Sequence, residues 1–307
     1  MRIDCPSTTA SLVDKKLVQL RNDGGAVALG RVLTLVVLTD EDALEGAIEA
    51  TNTASHEHPC RVLMVPRDAC RACPENTPRL DAEIRVGGDA GASEVIVLRC
   101  HGELQQHILE VITPLLLPDA PIVVWWTGVP PDSPADDSVG VIASRRITDC
   151  ASSADPVASL RDLAAAYQPG DTDLAWARVT GWRGILAAAM DTPPYLPVES
   201  VVVEGRLHAS RALLAAWLGS CLQCPAEEQE SGSELGITRV VLNRAGNATI
   251  SFERPDGNTV TIRQAGMPDR TISMPIRPLS DALIEELRRL SPDTTYAATL
   301  ELLARDH

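Results

Sequence analysis

Aromatic residues are scarce in this chain: 3% of 307 positions, with a single Phe. Large rings therefore cannot fill the interior, and the 45% of hydrophobic residues must do so mainly as Ala, Val and Leu. Positive charge is also in deficit, with 27 Lys and Arg against 42 Asp and Glu, a net charge of −15. A chain this acidic repels phosphate backbones and anionic bilayers at long range, so nucleic acid and membrane are excluded as whole-protein partners. No apolar run reaches transmembrane length, and no signal-peptide core follows the first residues, so the chain reads as cytoplasmic.

The usual catalytic signatures are missing as well. No G-x-G-x-x-G or G-x-x-x-x-G-K-[ST] phosphate loop, no H-E-x-x-H and no G-x-S-x-G elbow occurs. His56-Glu57-His58 has the wrong spacing for two metal ligands on one helix face. The glycine bend at Gly87, Gly88 and Gly91 is the nearest approach to a phosphate cradle. It contains Asp89 and precedes a β-branched run rather than a helix, so it reads as a tight strand connection. His101 and His107 flank the central helical pattern and read as exposed. No catalytic residue, cofactor or metal ligand set emerges.

The chain has eight cysteines, among them two C-x-x-C pairs, Cys70/Cys73 and Cys221/Cys224. In a reducing cytoplasm a disulfide framework is not expected, and the pairs lie too far apart in sequence for a zinc ribbon. They read as packing residues or exposed thiols. A thiol- or zinc-dependent regulator remains an alternative reading.

Hydrophobic periodicity organises the rest. Ser7 or Thr8 caps a first helix to about residue 21, and Gly24-Gly25 breaks the chain. A strand over 26–39 follows, with a bulge or a close backbone approach at Gly30, then a helix over 41–55 and a strand over 61–65. Apolar runs at 84–86, 95–98 and 122–126, with helical spacing over 102–117, give a second strand–helix–strand passage. A proline- and aspartate-rich loop covers 128–138, and a helix begins at Asp155-Pro156. One helix is expected over 172–190, another over 207–218, and a mobile acidic loop over 225–236. Four short β runs at hairpin spacing then predict an antiparallel meander, closed by helices from Ser280 onward. The fold class is α/β: an N-terminal α/β sheet domain over 1–169, then an α+β domain with an antiparallel meander over 170–307.

Several long words of this sequence are familiar. RVGGDAGASEVIVL, HGEL, PLLLPDAPIVVWW, RRITD and GDTDLAWARVTGWRGILA, preceded by GGAVALGRVLTLVVLTD and HPCRVLMVPRD, resemble the glucose-6-phosphate dehydrogenase assembly protein family, OpcA. The resemblance fades after about Asp191. It implies a cytoplasmic, non-enzymatic partner and allosteric activator of glucose-6-phosphate dehydrogenase that favours the enzyme's active oligomer in the pentose phosphate pathway. The family is known from actinobacteria and cyanobacteria. The residues themselves leave a sugar-phosphate or nucleotide enzyme open as an alternative, using a crevice between the glycine bend and Trp125. The chain's own oligomeric state is not legible.

Six residues are candidates for partner binding. Trp125 and Trp126 end an expected strand and point to opposite faces, so one is core and the other is free to line a crevice. Arg145 and Arg146 are placed to meet acidic partner groups, or else to pair locally with Asp149 or stack on tryptophan. Trp176 and Trp182 are six apart, about 600° around a helix, so the two rings diverge. One of them is available as an interface anchor.

Overall fold

The computed structural model describes residues 1–23, 31–67, 77–86 and 94–305. The expected break at Gly24-Gly25, the bulge at Gly30, the glycine bend and the Cys70/Cys73 pair lie outside the described residues.

Contacts divide the chain into two units. The first is Met1–Asp149, Gly170–Thr172 and Leu279–Pro292; the second is Cys150–Pro169, Asp173–Pro278 and Asp293–His307. The sequence reading cuts the chain once, at 169. The contacts instead group Cys150–Pro169 with the second unit and return Gly170–Thr172 and Leu279–Pro292 to the first, connections that local patterning does not carry.

The sheet of the first unit contains β1 (Arg2–Thr8), β2 (Leu33–Thr39), β3 (Cys60–Pro66), β4 (Arg79–Val86), β5 (Glu94–His101), β6 (Ile122–Trp126), β7 (Arg145–Thr148) and β8 (Asp171–Asp173). Their order is β1-β4-β5-β3-β2-β6-β7-β8. Strands β5, β3, β2, β6 and β7 run parallel to one another, while β4 pairs antiparallel with β5 and β1 antiparallel with β4. Every residue of β2 and β3 is buried, the signature of parallel strands covered on both faces. Helices α1 (Ala10–Asp23), α2 (Leu44–Ala54) and α3 (Ile108–Ile112) accompany the sheet. Val13 and Leu17 of α1 join Val36, Leu63, Ile96, Ile112, Val124 and Trp126 in one apolar cluster.

Two expectations change here. The helix expected over 102–117 is broken into a 3-10 turn at Gly102–Gln106, the short α3 and a second 3-10 turn at Thr113–Leu115. Pro114 explains the second break, because it has no N–H and its ring collides with the preceding turn. The first strand, RIDCPST, is polar enough to pass as a leader to α1, yet it pairs along β4 from Arg2 opposite Arg85 to Thr8 opposite Leu80.

The sheet of the second unit runs β10-β9-β11-β12-β13-β14, from β9 (Val198–Gly205), β10 (Ala226–Glu230), β11 (Ile237–Arg244), β12 (Ala248–Glu253), β13 (Thr259–Gln264) and β14 (Arg270–Ser273). Strands β11 to β14 form the expected meander with antiparallel registers. Burial alternates along β9, β11, β12 and β13, so a single face is packed. That face carries Val201, Val203, Val240, Leu242, Phe252, Val260 and Ile262. The acidic segment expected to be a mobile loop instead supplies β10, parallel to β9. An edge strand with one open side tolerates AEEQE, because charge there discourages stray pairing.

Helices α4 (Pro156–Ala165), α5 (Leu174–Arg178), α6 (Thr180–Met190), α7 (Ala209–Leu222) and α9 (Thr294–Arg305) contribute to the second unit, and α8 (Leu279–Arg288) packs on α2 in the first. The helix expected over 172–190 is two helices, parted at Val179, whose N–H bonds Trp176 in a tighter turn. Among the described residues no helix is long and apolar enough to cross a membrane.

Asp293 fastens α9 to α5. Its Oδ1 accepts from the N–H groups of Thr295 and Tyr296 at 2.9 and 3.0 Å, and its Oδ2 from the Trp176 indole at 2.9 Å. Burial alone would raise its carboxyl, but these three donors outweigh it and hold it below the ordinary value. The stability that a depressed folded pKa contributes is fully present above the unfolded value of about 4 and is lost as pH falls through the folded value. Urea titrations from pH 6 to pH 3 should therefore show stability falling more steeply in the parent than in Asp293→Asn. Asp293→Ala should cost about 1–2 kcal/mol at neutral pH through the lost cap. Equal acid slopes for parent and Asp293→Asn would contradict the assignment.

Candidate functional site

Open parallel sheets bind ligands beyond their carboxyl ends, where the strand order reverses. In the first unit the chain passes from β2 to β3 on one side, and β6 returns on the other, so the reversal falls at β2 and β6. The gap is closed by protein groups. Thr127 donates its N–H to Leu38 O at 3.1 Å, and its hydroxyl meets the Thr39 hydroxyl at 2.7 Å. A Cβ added to Gly128 would lie 3.1 Å from Asp40 Oδ2, so that carboxylate sits directly over the glycine. Glu41 and Asp42 follow at the start of the next helical turn. A dinucleotide fold needs a neutral, glycine-rich turn here, with free N–H groups for pyrophosphate. Three consecutive acids do the opposite.

Beside this point a cavity of about 290 Å³ is lined by Leu38, Arg67, Gln105, Ile108, Asp137 and Val139, among others. Arg67 donates its N–H to Thr39 O at 2.8 Å and its guanidinium lies 3.9 Å from Asp137. Asp137 Oδ1 accepts from the N–H groups of Val139 and Gly140. A Cβ on Gly140 would fall 1.8 Å from Pro134 O, so the proline loop is folded tightly on itself and only glycine fits. Val129 and Val141 project from this loop region, 72% and 63% exposed. The described lining offers one guanidinium and one carboxylate, with no His, Cys or second carboxylate as nucleophile or base. Among the described residues no group of three His, Cys, Asp or Glu is placed to hold a metal.

The structure buries all six predicted contact residues. Trp125 is 0% exposed and Trp126 1%, because both faces of the sheet are covered at β6. Trp125 therefore lines no crevice. Trp176 and Trp182 also lie in the core, each with a guanidinium on its ring: Arg183 at 3.6 Å and Arg254 at 5.2 Å. Their divergence around a helix is absorbed by the break at Val179.

Arg145 and Arg146 are buried on β7. Arg145 Nη2 donates to Glu286 Oε2 at 2.5 Å, and Nη1 to Ser291 O at 3.3 Å. Arg146 pairs with Asp171 and donates to Ala143 O. Burial pushes the Glu286 carboxyl above its ordinary range, while Arg145 pulls it back. No local signal reveals these partners, since Glu286 lies 141 residues from Arg145 in the chain. His101, expected to be exposed, is buried 3.0 Å from Asp81 Oδ2. Burial raises the thiols of Cys221 and Cys224 above the ordinary value, which leaves less reactive thiolate at neutral pH.

Comparison with known proteins covers both halves of the chain. Residues 51–165 match the family described as glucose-6-phosphate dehydrogenase subunit N-terminal domain, and residues 169–300 match its C-terminal domain. A relative from Synechococcus elongatus, named "Putative OxPP cycle protein OpcA", is 26% identical over 284 residues, 86% of this chain and 59% of its own. One of the same name from Nostoc punctiforme is 26% identical over 185 residues, 57% of this chain and 38% of its own. The chain thus spans less than two thirds of either relative. Among solved structures, UDP-N-acetylglucosamine 3-dehydrogenase GnnA from Acidithiobacillus ferrooxidans aligns over 89% of this chain and 96% of its own at 10% identity. Its TM-score of 0.37 is too low to carry an argument.

Burial of Arg145 has a measurable consequence. Arg145→Ala strands Glu286 in the interior and should cost about 3–5 kcal/mol in urea denaturation at neutral pH. Arg145→Met combined with Glu286→Leu should recover most of that loss. A single variant within about 1 kcal/mol of the parent would mean that the pair behaves as an exposed one.

Proposed function

The chain belongs to the glucose-6-phosphate dehydrogenase assembly protein family, OpcA, and we propose that it is a non-catalytic partner of that dehydrogenase. It binds the enzyme and favours its active oligomer. The observation that carries this reading is the match of both halves, in order, to domains described as a subunit of the dehydrogenase. The acidic, closed reversal point supports it from the side of chemistry. With Asp40, Glu41 and Asp42 where phosphate would sit, a sugar-phosphate or nucleotide reaction has no support there.

A helper of this kind needs only differential affinity. Binding the active oligomer about tenfold more tightly than the inactive form shifts the equilibrium by about 1.4 kcal/mol per site, without any chemical step in the helper. Arg145, Arg146 and the four tryptophans serve this role by holding the fold in shape, since their side chains are inside it. Contact falls to surface side chains, and the proline loop with Val129 and Val141 offers exposed apolar groups on a stiff support.

Titration of the purified chain into its host's glucose-6-phosphate dehydrogenase should raise activity to a plateau at fixed stoichiometry, while the chain alone turns over no substrate. Val129→Asp with Val141→Asp should weaken the complex by about tenfold or more and leave the melting temperature unchanged. An unchanged enzyme rate and size at micromolar chain would refute the partnership. Normal binding by the double variant would refute only the loop.

A further inference from the structure

Nine aromatic side chains serve the whole chain: five Trp, three Tyr and one Phe. All nine lie among the described residues, and eight of them are buried or half-buried. Tyr195 is the exception, 74% exposed in the connection between α6 and β9. The backbone that carries it is firmly held. Leu196 donates its N–H to Pro194 O at 2.9 Å, closing a three-residue turn with Tyr195 at its centre. Arg244 of β11, itself 2% exposed, grips that turn from the second sheet. Its Nη2 donates to Pro194 O at 2.6 Å and to Leu196 O at 3.0 Å, and its Nε to Leu196 O at 3.1 Å. No carboxylate reaches this guanidinium among the described residues; its hydrogen bonds go to the two carbonyls that flank the tyrosine. Pro193, Pro194 and Pro197 fix φ on either side, and Ala245 donates its N–H to Pro197 O at 3.0 Å. Asp191 and Glu199, four residues before and after the ring, are exposed and meet no cation among the described residues.

We propose that Tyr195 is an anchor that enters an apolar pocket, rimmed by Lys or Arg, on the surface of a protein partner. The identity of that partner rests on the reading above: it is glucose-6-phosphate dehydrogenase. Tyrosine suits an anchor because it buries a large ring with few rotatable bonds to immobilise. A turn fixed in advance by prolines and a buried guanidinium also avoids the ordering cost that a loose loop pays on binding. The two acids beside the ring select a basic rim, since like charges across an interface repel wrong partners. This contact is separate from Val129 and Val141, which belong to the other unit.

Binding kinetics of the full chain on the immobilised host dehydrogenase, with sedimentation of the chain alone, test the assignment. Tyr195→Ser should weaken the complex by about tenfold or more at an unchanged melting temperature, because the ring packs little in the free chain. Tyr195→Phe keeps the ring and should bind within about threefold of the parent. Asp191→Asn with Glu199→Gln should slow association and leave dissociation nearly unchanged. A parent that binds and activates, with Tyr195→Ser its equal, would overturn the anchor and leave the partnership standing. No binding by the parent would overturn both. Equal losses in the Ser and Phe variants would overturn the apolar pocket, and an association rate unmoved by the acid pair would overturn its basic rim. Self-association of the chain that vanishes in Tyr195→Ser, with dehydrogenase binding intact, would give the anchor to a second copy and overturn the assignment.

Discussion

Buried guanidinium–carboxylate pairs hold the first unit together. Arg145 with Glu286 and Arg146 with Asp171 tie two returning segments, 170–172 and 279–292, to β7. Elsewhere Arg61 pairs with the buried Glu94, which also meets Arg31, and Arg85 bridges Glu83 and Glu45. Such pairs add little net stability, because desolvation cancels most of the attraction. Their force lies in the penalty for separation, since either partner left alone is a charge in a nonpolar interior. A chain with one Phe and 3% aromatics uses this penalty to fix which segments meet. The pairing of β7 with residues so distant in sequence then fixes the end of the parallel sheet.

At the carboxyl ends of β2 and β6 that arrangement sets acids where a dinucleotide fold places a neutral, glycine-rich turn. The threonine pair bridges the strands, Asp40 covers Gly128, and the proline loop is locked by Gly140. A sheet whose topology suits nucleotide binding has its reversal point closed by acids. Rigid loops at such an end still present a defined surface, and a protein partner can recognise surface where a phosphate would be repelled.

Much of the fold was legible because periodicity is local. IVVWW, LTLVVLT and RVLMVP announce buried parallel strands, and the meander follows from turn residues between short β runs. The errors are physical too. Pro114 outweighs the helical spacing around it, and β1 and β10 are edge or near-edge strands whose polar residues hide them. The six candidate contacts failed to surface for one shared reason. Tryptophan and arginine suit interfaces and interiors equally, and only distant partners decide between them. The sequence shows that Arg145 and Arg146 are adjacent, but their carboxylates come from elsewhere in the chain.

Sedimentation velocity on dilute glucose-6-phosphate dehydrogenase, with and without a stoichiometric amount of this chain, tests the central claim most directly. The account predicts that the enzyme alone distributes between smaller and larger forms. Added chain should co-sediment with the larger form and draw the population into it, with specific activity rising in parallel. A distribution of enzyme forms unmoved by the chain, or a complex that forms while activity and oligomer distribution stay fixed, would contradict it.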